Sequence, residues 1–388
     1  MKNTLNTLPE LLFSNGLKYP DMVAAREKDL GIWNTYTWLD CSKEVSYIGL
    51  ALKELKICKS DVVGIIGNNR VRWVFAEIGI QSNRAISIGL YKDALENEIE
   101  YLIKCSKCKF IFAEDEEQVD KILSLGTSIK TIEKIIFDDP KGMRKYSDIR
   151  LISYTELLKI GKNSLEKNRK SYIKLLEKIQ DSDTAILCPT SGTTDNPKLA
   201  EISHKSLIGH TRSYLLADPK NDTDEYVSVL PLPWIMEQVY AVGKWLVSRM
   251  KINFVENPET TMSDLREIGP TFLLLAPRTW EQIAADIRSR IMESTKIKRF
   301  LFFIFEKLAF RSSKNHKRSY IADIFLYNSL RDSLGFSFLR SAATGGAALG
   351  PDTFQFFINM THPRFCDAGQ SIRIVPQIPD IFSFCCFF

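Results

Sequence analysis

The stretch DVVGIIGNNRVRWVFAEIGIQSNRAISIGL, residues 61–90, decides the fold class of this chain. Its first seven residues are a β-branched run closed by glycine, which is typical of a buried strand. Residues 71–82 carry apolar side chains at helical spacing, and residues 85–90 are strand-like again. Residues 94–106 then predict a helix and residues 109–115 a strand. This βαβαβ order predicts a parallel sheet with helices on both faces.

A second α/β section follows a charged, helix-forming segment at residues 156–183. We expect that segment to be a surface helix that bridges two subdomains. Further strands are predicted at 184–190, 225–234, 251–256 and 271–277, and further helices at 234–250 and 279–292. The sequence therefore predicts an α/β protein with two parallel-sheet subdomains, at 1–180 and 181–358, followed by an aberrant tail at 359–388.

The composition is that of an ordinary globular protein. Of the 388 residues, 45% are hydrophobic and 26% are charged, and the formal net charge is +5. This net charge does not indicate a nucleic-acid partner, and no motif that reads nucleic acid is recognisable in the sequence. The N-terminus lacks the continuous apolar region of a secretory signal, and no apolar run reaches the ~18 residues of a spanning helix. We therefore expect a cytoplasmic protein without a nucleic-acid partner.

The eight cysteines are scattered, which favours reduced thiols. Cys105 and Cys108 have the CxxC spacing of zinc and redox sites, but no second CxxC or nearby His pair completes four ligands. We interpret them as two cysteines at the edge of a strand.

Small and hydroxyl-bearing residues are concentrated in TSGTTD, residues 190–195, and Lys198 follows shortly after. Glycine lets backbone N–H groups turn inward, hydroxyl groups add donors without bulk, and lysine adds a positive charge, so the stretch suits phosphate. It is neither a Walker A element nor a GxGxxG turn. From composition alone, it is either a phosphate-binding loop or an exposed Ser/Thr/Gly turn.

Five stretches, in the same order, resemble the adenylate-forming superfamily of acyl-CoA synthetases and their relatives, with long-chain fatty acid:CoA ligases as the nearest subgroup. PTSGTTDNPKLAEISH is similar to the phosphate-binding signature TSGTTGxPKG. The other stretches are similar to the N-terminal core and to the PLxHxxE, PRxxE and GGAPL segments of that superfamily. They are residues 63–91, 230–238, 276–281 and 343–357. The resemblance implies an acyl-CoA synthetase-like N-terminal domain across most of the chain.

The resemblance also implies a two-step reaction with ATP, Mg²⁺ and coenzyme A. A fatty acid carboxylate attacks the α-phosphate of ATP to give acyl-AMP and pyrophosphate, and the thiol of coenzyme A then displaces AMP. Such a reaction depends on positioning anions and neutralising the charge that develops on the phosphorus oxygens. Fatty acid, ATP and coenzyme A are therefore the implied substrates.

Roles for residues of the loop and of the PLxHxxE segment follow from the same resemblance. It implies that Thr193, Lys198 and Glu237 are catalytic, with the Thr193 hydroxyl near Mg²⁺. Glu237 could equally be a structural ion-pair partner, as could Arg278 of the PRxxE segment. The implied ATP-phosphate ligands are Thr190, Ser191, Gly192, Thr193, Thr194 and Lys198.

Two further roles concern adenine and the acyl chain. The resemblance implies that Gly345, Gly346 and Ala347 form a flat backbone wall against adenine, and the alternative is a helix N-terminal turn. Trp234 stands where relatives have histidine or an aromatic residue, which implies an acyl-pocket role. The alternative for Trp234 is a buried core side chain.

The sequence departs from the superfamily pattern in two places. Asp195 replaces a glycine of the signature, and a carboxylate ~6 Å from a phosphate costs on the order of 3 kcal/mol at an effective dielectric constant of ~20. After Phe357 no YGxTE stretch follows, so we expect an incomplete N-terminal domain, a missing C-terminal cap domain and impaired turnover. The alternative function is a non-catalytic remnant that binds nucleotide or acyl chain.

The segment at residues 296–318 carries eight Lys/Arg residues around an aromatic run. One interpretation is a peripheral membrane contact. The other is a helix that is buried on its aromatic side and exposes a basic face to solvent, which is the commoner arrangement.

Overall fold

The computed structural model describes residues 6–190, 197–314, 319–361 and 364–367. Within them the chain forms two compact units. The first unit contains the residues up to Glu27, Trp33–Leu216 and Pro231–Arg249. The second contains Lys28–Ile32, Ala217–Leu230 and the residues from Met250 onward. The predicted phosphate ligands Ser191, Gly192, Thr193 and Thr194 lie outside the described residues, as does Asp195.

The elements up to residue 217 are a mixture of helices and strands. The chain begins with α1 (Leu8–Lys18), the strands β1 (Val23–Asp29) and β2 (Ile32–Thr37), and α2 (Trp38–Glu54). It continues with β3 (Val62–Ile66), α3 (Val71–Gln81), β4 (Ile86–Leu90), α4 (Glu96–Ser106), β5 (Phe110–Ala113), α5 (Glu116–Ser124), a 3-10 turn (Gly126–Ile129), β6 (Lys134–Phe137), a second 3-10 turn (Met143–Lys145), β7 (Leu151–Ser153), α6 (Tyr154–Lys167), α7 (Ser171–Leu176), β8 (Thr184–Thr190), β9 (Lys198–Ser203) and α8 (His204–Ala217).

The sheet of the first unit has the order β7-β6-β5-β3-β4-β8-β9. All neighbours are parallel except β8 and β9, which are antiparallel. The βαβαβ order predicted from residues 61–115 is confirmed, because β3, β4 and β5 are parallel neighbours joined by α3 and α4. The fully buried strand β3 explains why its sequence is a continuous apolar run without alternation.

The charged segment at residues 156–183 is not one bridging helix. It contains most of α6 and the short helix α7, and the chain is extended at Asn168 between them. Helix α6 begins earlier than expected because Ser153 and Glu156 form a capping box. It packs closely on α2 within the first unit, since a Cβ at Gly161 would lie 1.8 Å from the carbonyl oxygen of Tyr47.

The remaining elements run from residue 225 to residue 367. They are β10 (Glu225–Ser228), α9 (Ile235–Glu237), a π-helical segment (Gln238–Gly243), α10 (Lys244–Ser248), β11 (Lys251–Phe254), a 3-10 turn (Pro258–Thr260), α11 (Thr261–Ile268), β12 (Phe272–Leu275), α12 (Pro277–Met292), α13 (Lys296–Lys314), α14 (Tyr320–Ala322), a second π-helical segment (Asp323–Tyr327), α15 (Asn328–Leu334), β13 (Ser341–Thr344), α16 (Pro351–Thr361) and β14 (Arg364–Asp367). In the second unit, β14, β13, β12, β10 and β11 are parallel neighbours in that order.

Two predicted boundaries differ from the structure. The strand predicted at 225–234 ends at Ser228, because Pro231 and Pro233 have no N–H group for a strand ladder. The predicted second subdomain does not begin at residue 181. Strand β8 pairs with β4, so β8, β9 and most of α8 belong to the first unit, and residues 231–249 return to it.

Candidate functional site

The hairpin of β8 and β9 carries the predicted phosphate loop. Residues Ala185–Cys188 of β8 are buried, and β8 lies between β4 and β9 in the sheet. Thr190 and Lys198 are directly opposite each other at the loop end of the hairpin, and the Thr190 hydroxyl donates to the Lys198 carbonyl at 3.2 Å. The Lys198 side chain is exposed. The hairpin thus presents two of the predicted phosphate ligands at the carboxyl end of β8, where α/β sheets commonly bind ligands.

A second segment of the predicted site, residues 230–238, lies against the same unit. The Asn69 side chain accepts a hydrogen bond from the Leu232 N–H at 3.1 Å. The Cys188 thiol donates to the carbonyl of Pro233 at 3.6 Å. Asn69 follows β3 and Cys188 lies in β8, so two strands of one sheet hold this segment.

The backbone of β4 also contacts this segment. A Cβ atom built at Gly89 would lie 2.7 Å from the Cα atom of Pro233, so only glycine allows this approach. The structure therefore brings the phosphate-loop hairpin and the PLxHxxE-like segment together within the first unit.

The two predicted site residues of this segment differ in exposure. Trp234 is half-buried and stands at the N-terminus of α9, so it is not a fully buried core residue. Glu237 is completely buried. Their predicted roles, in the acyl pocket and in catalysis, stay predictions.

A buried polar cluster that sequence analysis missed lies beneath this segment. Glu77 of α3 is 1% exposed and accepts hydrogen bonds from the side-chain amides of Gln81 at 3.3 Å and Gln238 at 3.1 Å. Burial raises the pKa of Glu77 to about 7. A cavity of about 10 Å³ adjoins the cluster and is also lined by Ser87 and Pro233. The sequence signal was available, since Glu77 is an acidic residue within the apolar run of α3.

In the second unit, the predicted adenine segment follows β13. Gly345 is buried, whereas Gly346 and Ala347 are exposed. Gly346 has a φ of +93°, which favours glycine. These residues are not the first turn of α16, which begins only at Pro351. The chain therefore presents backbone without bulky side chains at this strand end.

The PRxxE-like segment lies beside the adenine segment in the second unit. Trp280 of α12 is fully buried, and its indole N–H donates to the carbonyl of Ala343 at 3.2 Å. Arg278 is exposed near the start of α12, and it forms no ion pair with any residue that the structure describes. This hydrogen bond connects α12 to β13 close to Gly345 and Gly346.

The two cysteines of the CxxC pair lie in different environments. Cys105 is exposed on α4, whereas Cys108 is buried just before β5 and donates to the carbonyl of Phe110 at 3.0 Å. Burial raises the pKa of Cys108 to about 12. Within the described ranges, no cluster of three His, Cys, Asp or Glu side chains could hold a metal ion.

Comparison with solved structures agrees with the fold described above. The fold is that of the N-terminal domain of adenylate-forming enzymes. A luciferase-like enzyme from the mealworm Zophobas morio superposes with a TM-score of 0.66 at 18% identity, covering 93% of this chain and 71% of that one. A long-chain-fatty-acid-CoA ligase (FadD1) from Archaeoglobus fulgidus superposes with a TM-score of 0.66 at 14% identity, covering 93% of this chain and 63% of that one.

Sequence comparison identifies the family. Residues 12–368 match the AMP-binding enzyme family, and this chain belongs to it. A similar curated protein is the long-chain-fatty-acid–CoA ligase ACSBG2 of Rattus norvegicus, which is 24% identical over 375 residues, covering 92% of this chain and 55% of the relative. The chain thus spans about half the length of this relative.

Proposed function

We propose that this protein activates a long-chain fatty acid with ATP, first to acyl-AMP and pyrophosphate and then to the coenzyme A thioester. The observation that carries the proposal is the β8–β9 hairpin, which places Thr190 and the exposed Lys198 at the base of a Thr/Ser/Gly loop. Family membership and the name of the rat relative support the same reaction. The substrate class is taken from that relative.

The chain's own residues would act mainly by binding and orientation. Lys198 would neutralise charge on the β- and γ-phosphates, and the loop hydroxyls would donate to phosphate oxygens. The Thr193 hydroxyl is the proposed Mg²⁺ ligand, since hard cations prefer oxygen ligands. Bound Mg²⁺ would neutralise further charge on the phosphate oxygens. The exposed Lys198 at the loop end of the hairpin fits a polyanion better than a buried structural role.

The adenine of ATP and the acyl chain also have proposed positions, one in each unit. Adenine would lie against the backbone at Gly345, Gly346 and Ala347, where the positive φ of Gly346 excludes most side chains. The half-buried Trp234 would contact the acyl chain. Coenzyme A would enter only in the second step.

The test of the proposal is ATP affinity measured by calorimetry. Lys198→Ala should weaken ATP binding by ~1.5 to 3 kcal/mol, because one charge-assisted contact is lost. Lys205→Ala is the matched control, since Lys205 is an exposed lysine of the same unit on α8. Equal ATP affinity in the folded Lys198→Ala protein and the control would contradict the phosphate role.

The alternative function, binding without turnover, is separated from catalysis by pyrophosphate release. Release that depends on palmitate supports the activation reaction. ATP binding without such release supports the non-catalytic alternative. Both outcomes are read on the same preparation used for calorimetry.

We also propose a peripheral membrane contact through α13 and the residues after it. Phe302 and Ala309 of α13 are buried, but Phe300 is 65% exposed and Phe303 is 53% exposed, so the helix is apolar on both faces. The apolar surface consists of Ile297, Phe300, Leu301, Phe303, Ile304, Phe310, Tyr320, Ile321, Ile324 and Phe325. A helix buried on its aromatic side accounts for the buried Phe302 but not for the exposed Phe300 and Phe303.

Charge favours an anionic lipid surface as the partner. The exposed basic residues of α13 are Lys296, Lys298, Lys307 and Arg311, and its single acidic residue, Glu306, is half-buried. Basic and aromatic residues together are typical of interfacial helices. No helix in the described part of the chain is long and apolar enough to cross a bilayer.

Vesicle flotation tests this contact. The wild-type protein should float with vesicles that contain anionic lipid and bind neutral vesicles less. Phe300→Ser combined with Phe303→Ser should reduce flotation, whereas Ile149→Ser, at an 89% exposed apolar position of the first unit, should not. Equal binding to neutral and anionic vesicles, or none, would remove the electrostatic part of the proposal. Self-association of the wild type that the double variant abolishes would assign the surface to a second copy.

A further inference from the structure

One buried side-chain amide connects the beginning and the end of the PLxHxxE-like segment. Gln238 is 3% exposed, and its Nε2 donates to the carbonyl of Leu232 at 2.8 Å and to Glu77 Oε2 at 3.1 Å. Leu232 stands two residues before Trp234, and Gln238 directly follows Glu237. The amide therefore closes a short loop around both predicted site residues.

The carboxyl group of Glu77 determines how this amide is oriented. A glutamine amide carries two donors on its nitrogen and only acceptor positions on its oxygen. Both Nε2 hydrogens of Gln238 face acceptors, one on Leu232 and one on Glu77. An apolar residue at position 77 would remove one of the two acceptors. The Gln238 amide would then be oriented by the carbonyl of Leu232 without the help of Glu77.

Two other side chains of the first unit also contact this segment. Asn69 accepts a hydrogen bond from the N–H of Leu232, and the Cys188 thiol contacts the carbonyl of Pro233 and the backbone N–H of Ile235. The Gln238 amide adds a link between Leu232 and the helical residues that follow Trp234. The π-helical segment begins at Gln238 itself, and such widened turns are frequent at functional sites.

We propose that Gln238, oriented by Glu77, is a positioning residue that fixes Trp234 and Glu237 relative to the sheet of the first unit. The assignment of a functional role to Trp234 and Glu237 rests on the proposed function. The structural part, that Gln238 and Glu77 hold residues 232–237 in place, does not.

Hydrogen–deuterium exchange of peptides that cover residues 231–240 tests the structural part without any activity. Gln238→Met and Glu77→Leu should each speed exchange there about tenfold, which corresponds to about 1.4 kcal/mol. Glu77→Gln keeps an oxygen acceptor for Gln238 and should preserve most of the protection. The matched control is Gln118→Met, because Gln118 is also a 3% exposed glutamine of the first unit.

The control separates positioning from general loss of stability. If Gln238→Met and Gln118→Met lower the melting temperature alike but only Gln238→Met speeds exchange at 231–240, the positioning role is supported. Unchanged local exchange in Gln238→Met and Glu77→Leu would overturn it, whatever the enzyme activity. Exchange that rises equally in Glu77→Gln and Glu77→Leu would overturn the part assigned to Glu77.

Ligand binding then tests the part that rests on the proposed function. A rise in the KM for fatty acid without a change in ATP affinity is expected for Gln238→Met, because Trp234 is moved while the phosphate hairpin is not. Faster local exchange with unaltered fatty acid dependence would keep the positioning role. It would also remove the acyl-pocket role of Trp234.

Discussion

Glu77 illustrates what burial does to a single carboxyl group. Among the described residues no charged partner compensates it, since the groups that contact its carboxyl are the neutral side chains of Gln81, Gln238 and Trp73. Burial therefore raises its pKa from 4.5 to about 7. Between these two values the folded protein holds a proton that the unfolded chain releases. The free energy of unfolding should consequently fall as the pH rises from about 4.5 to about 7.

Glu77→Gln should remove this pH dependence. The stability of the wild type relative to the variant should decrease between about pH 4.5 and about pH 7, by no more than about 3 kcal/mol. Urea denaturation at several pH values provides the measurement. A difference in unfolding free energy that is constant across this range would show that Glu77 titrates alike in the folded and unfolded states.

At the scale of elements, glycine controls how closely β4 approaches the segment after β10. Gly89 leaves no room for a side chain, because a Cβ there would lie 2.7 Å from the Cα of Pro233. Backbone atoms cannot move aside as the end of a flexible side chain can. The contact between the strand and the segment thus depends on this one missing methyl group.

Gly89→Ala should destabilise the protein by about 1 to 3 kcal/mol, which is the usual cost of overpacking. Gly209→Ala is a matched control on α8, since nothing outside the adjoining backbone of its own helix lies within 4 Å of its added Cβ. In a helix interior that change should be neutral or stabilise by up to about 1 kcal/mol. Denaturant midpoints of the two variants decide the matter, and similar midpoints would mean that the Gly89 contact relaxes freely.

At the scale of the whole molecule, buried groups with opposite shifts shape the dependence of stability on pH. His204 is 1% exposed, and its Nδ1 accepts a hydrogen bond from the N–H of Leu8 at 3.4 Å across 196 residues of sequence. Burial lowers its pKa from 6.5 to about 4. The unfolded chain therefore binds a proton that the folded protein does not, and stability should fall as the pH drops from about 6.5 to about 4. This is opposite in sign to the effect of Glu77.

His204→Asn should expose the opposing effect, because asparagine retains an acceptor but does not titrate. The wild type should lose stability relative to this variant on acidification from about pH 6.5 to about pH 4. The same denaturation series used for Glu77→Gln measures it. Parallel stability curves for the wild type and His204→Asn would contradict a buried, neutral histidine.

Local sequence patterns were enough to predict the strands and helices around β3 and to reveal the stretches of small and hydroxyl residues. The continuous apolar run of β3 and the helical spacing of α3 appear in the sequence because burial on a sheet requires them. The TSGTTD stretch and Gly345–Gly346 were also visible, since a concentration of small and hydroxyl residues can be read directly from the sequence. These features depend on neighbours in sequence, which a single chain displays.

Only the tertiary structure decided which distant elements share a unit. Residues 231–249 follow β10 in the chain, but they pack with the first unit, so a boundary at residue 180 could not be corrected from local pattern. Glu77 and Gln238 are 161 residues apart, and their hydrogen bond exists because α3 and the π-helical segment are packed together. Local propensity contains no term for such contacts, since hydrogen bonds and close packing act between atoms that only folding brings near one another.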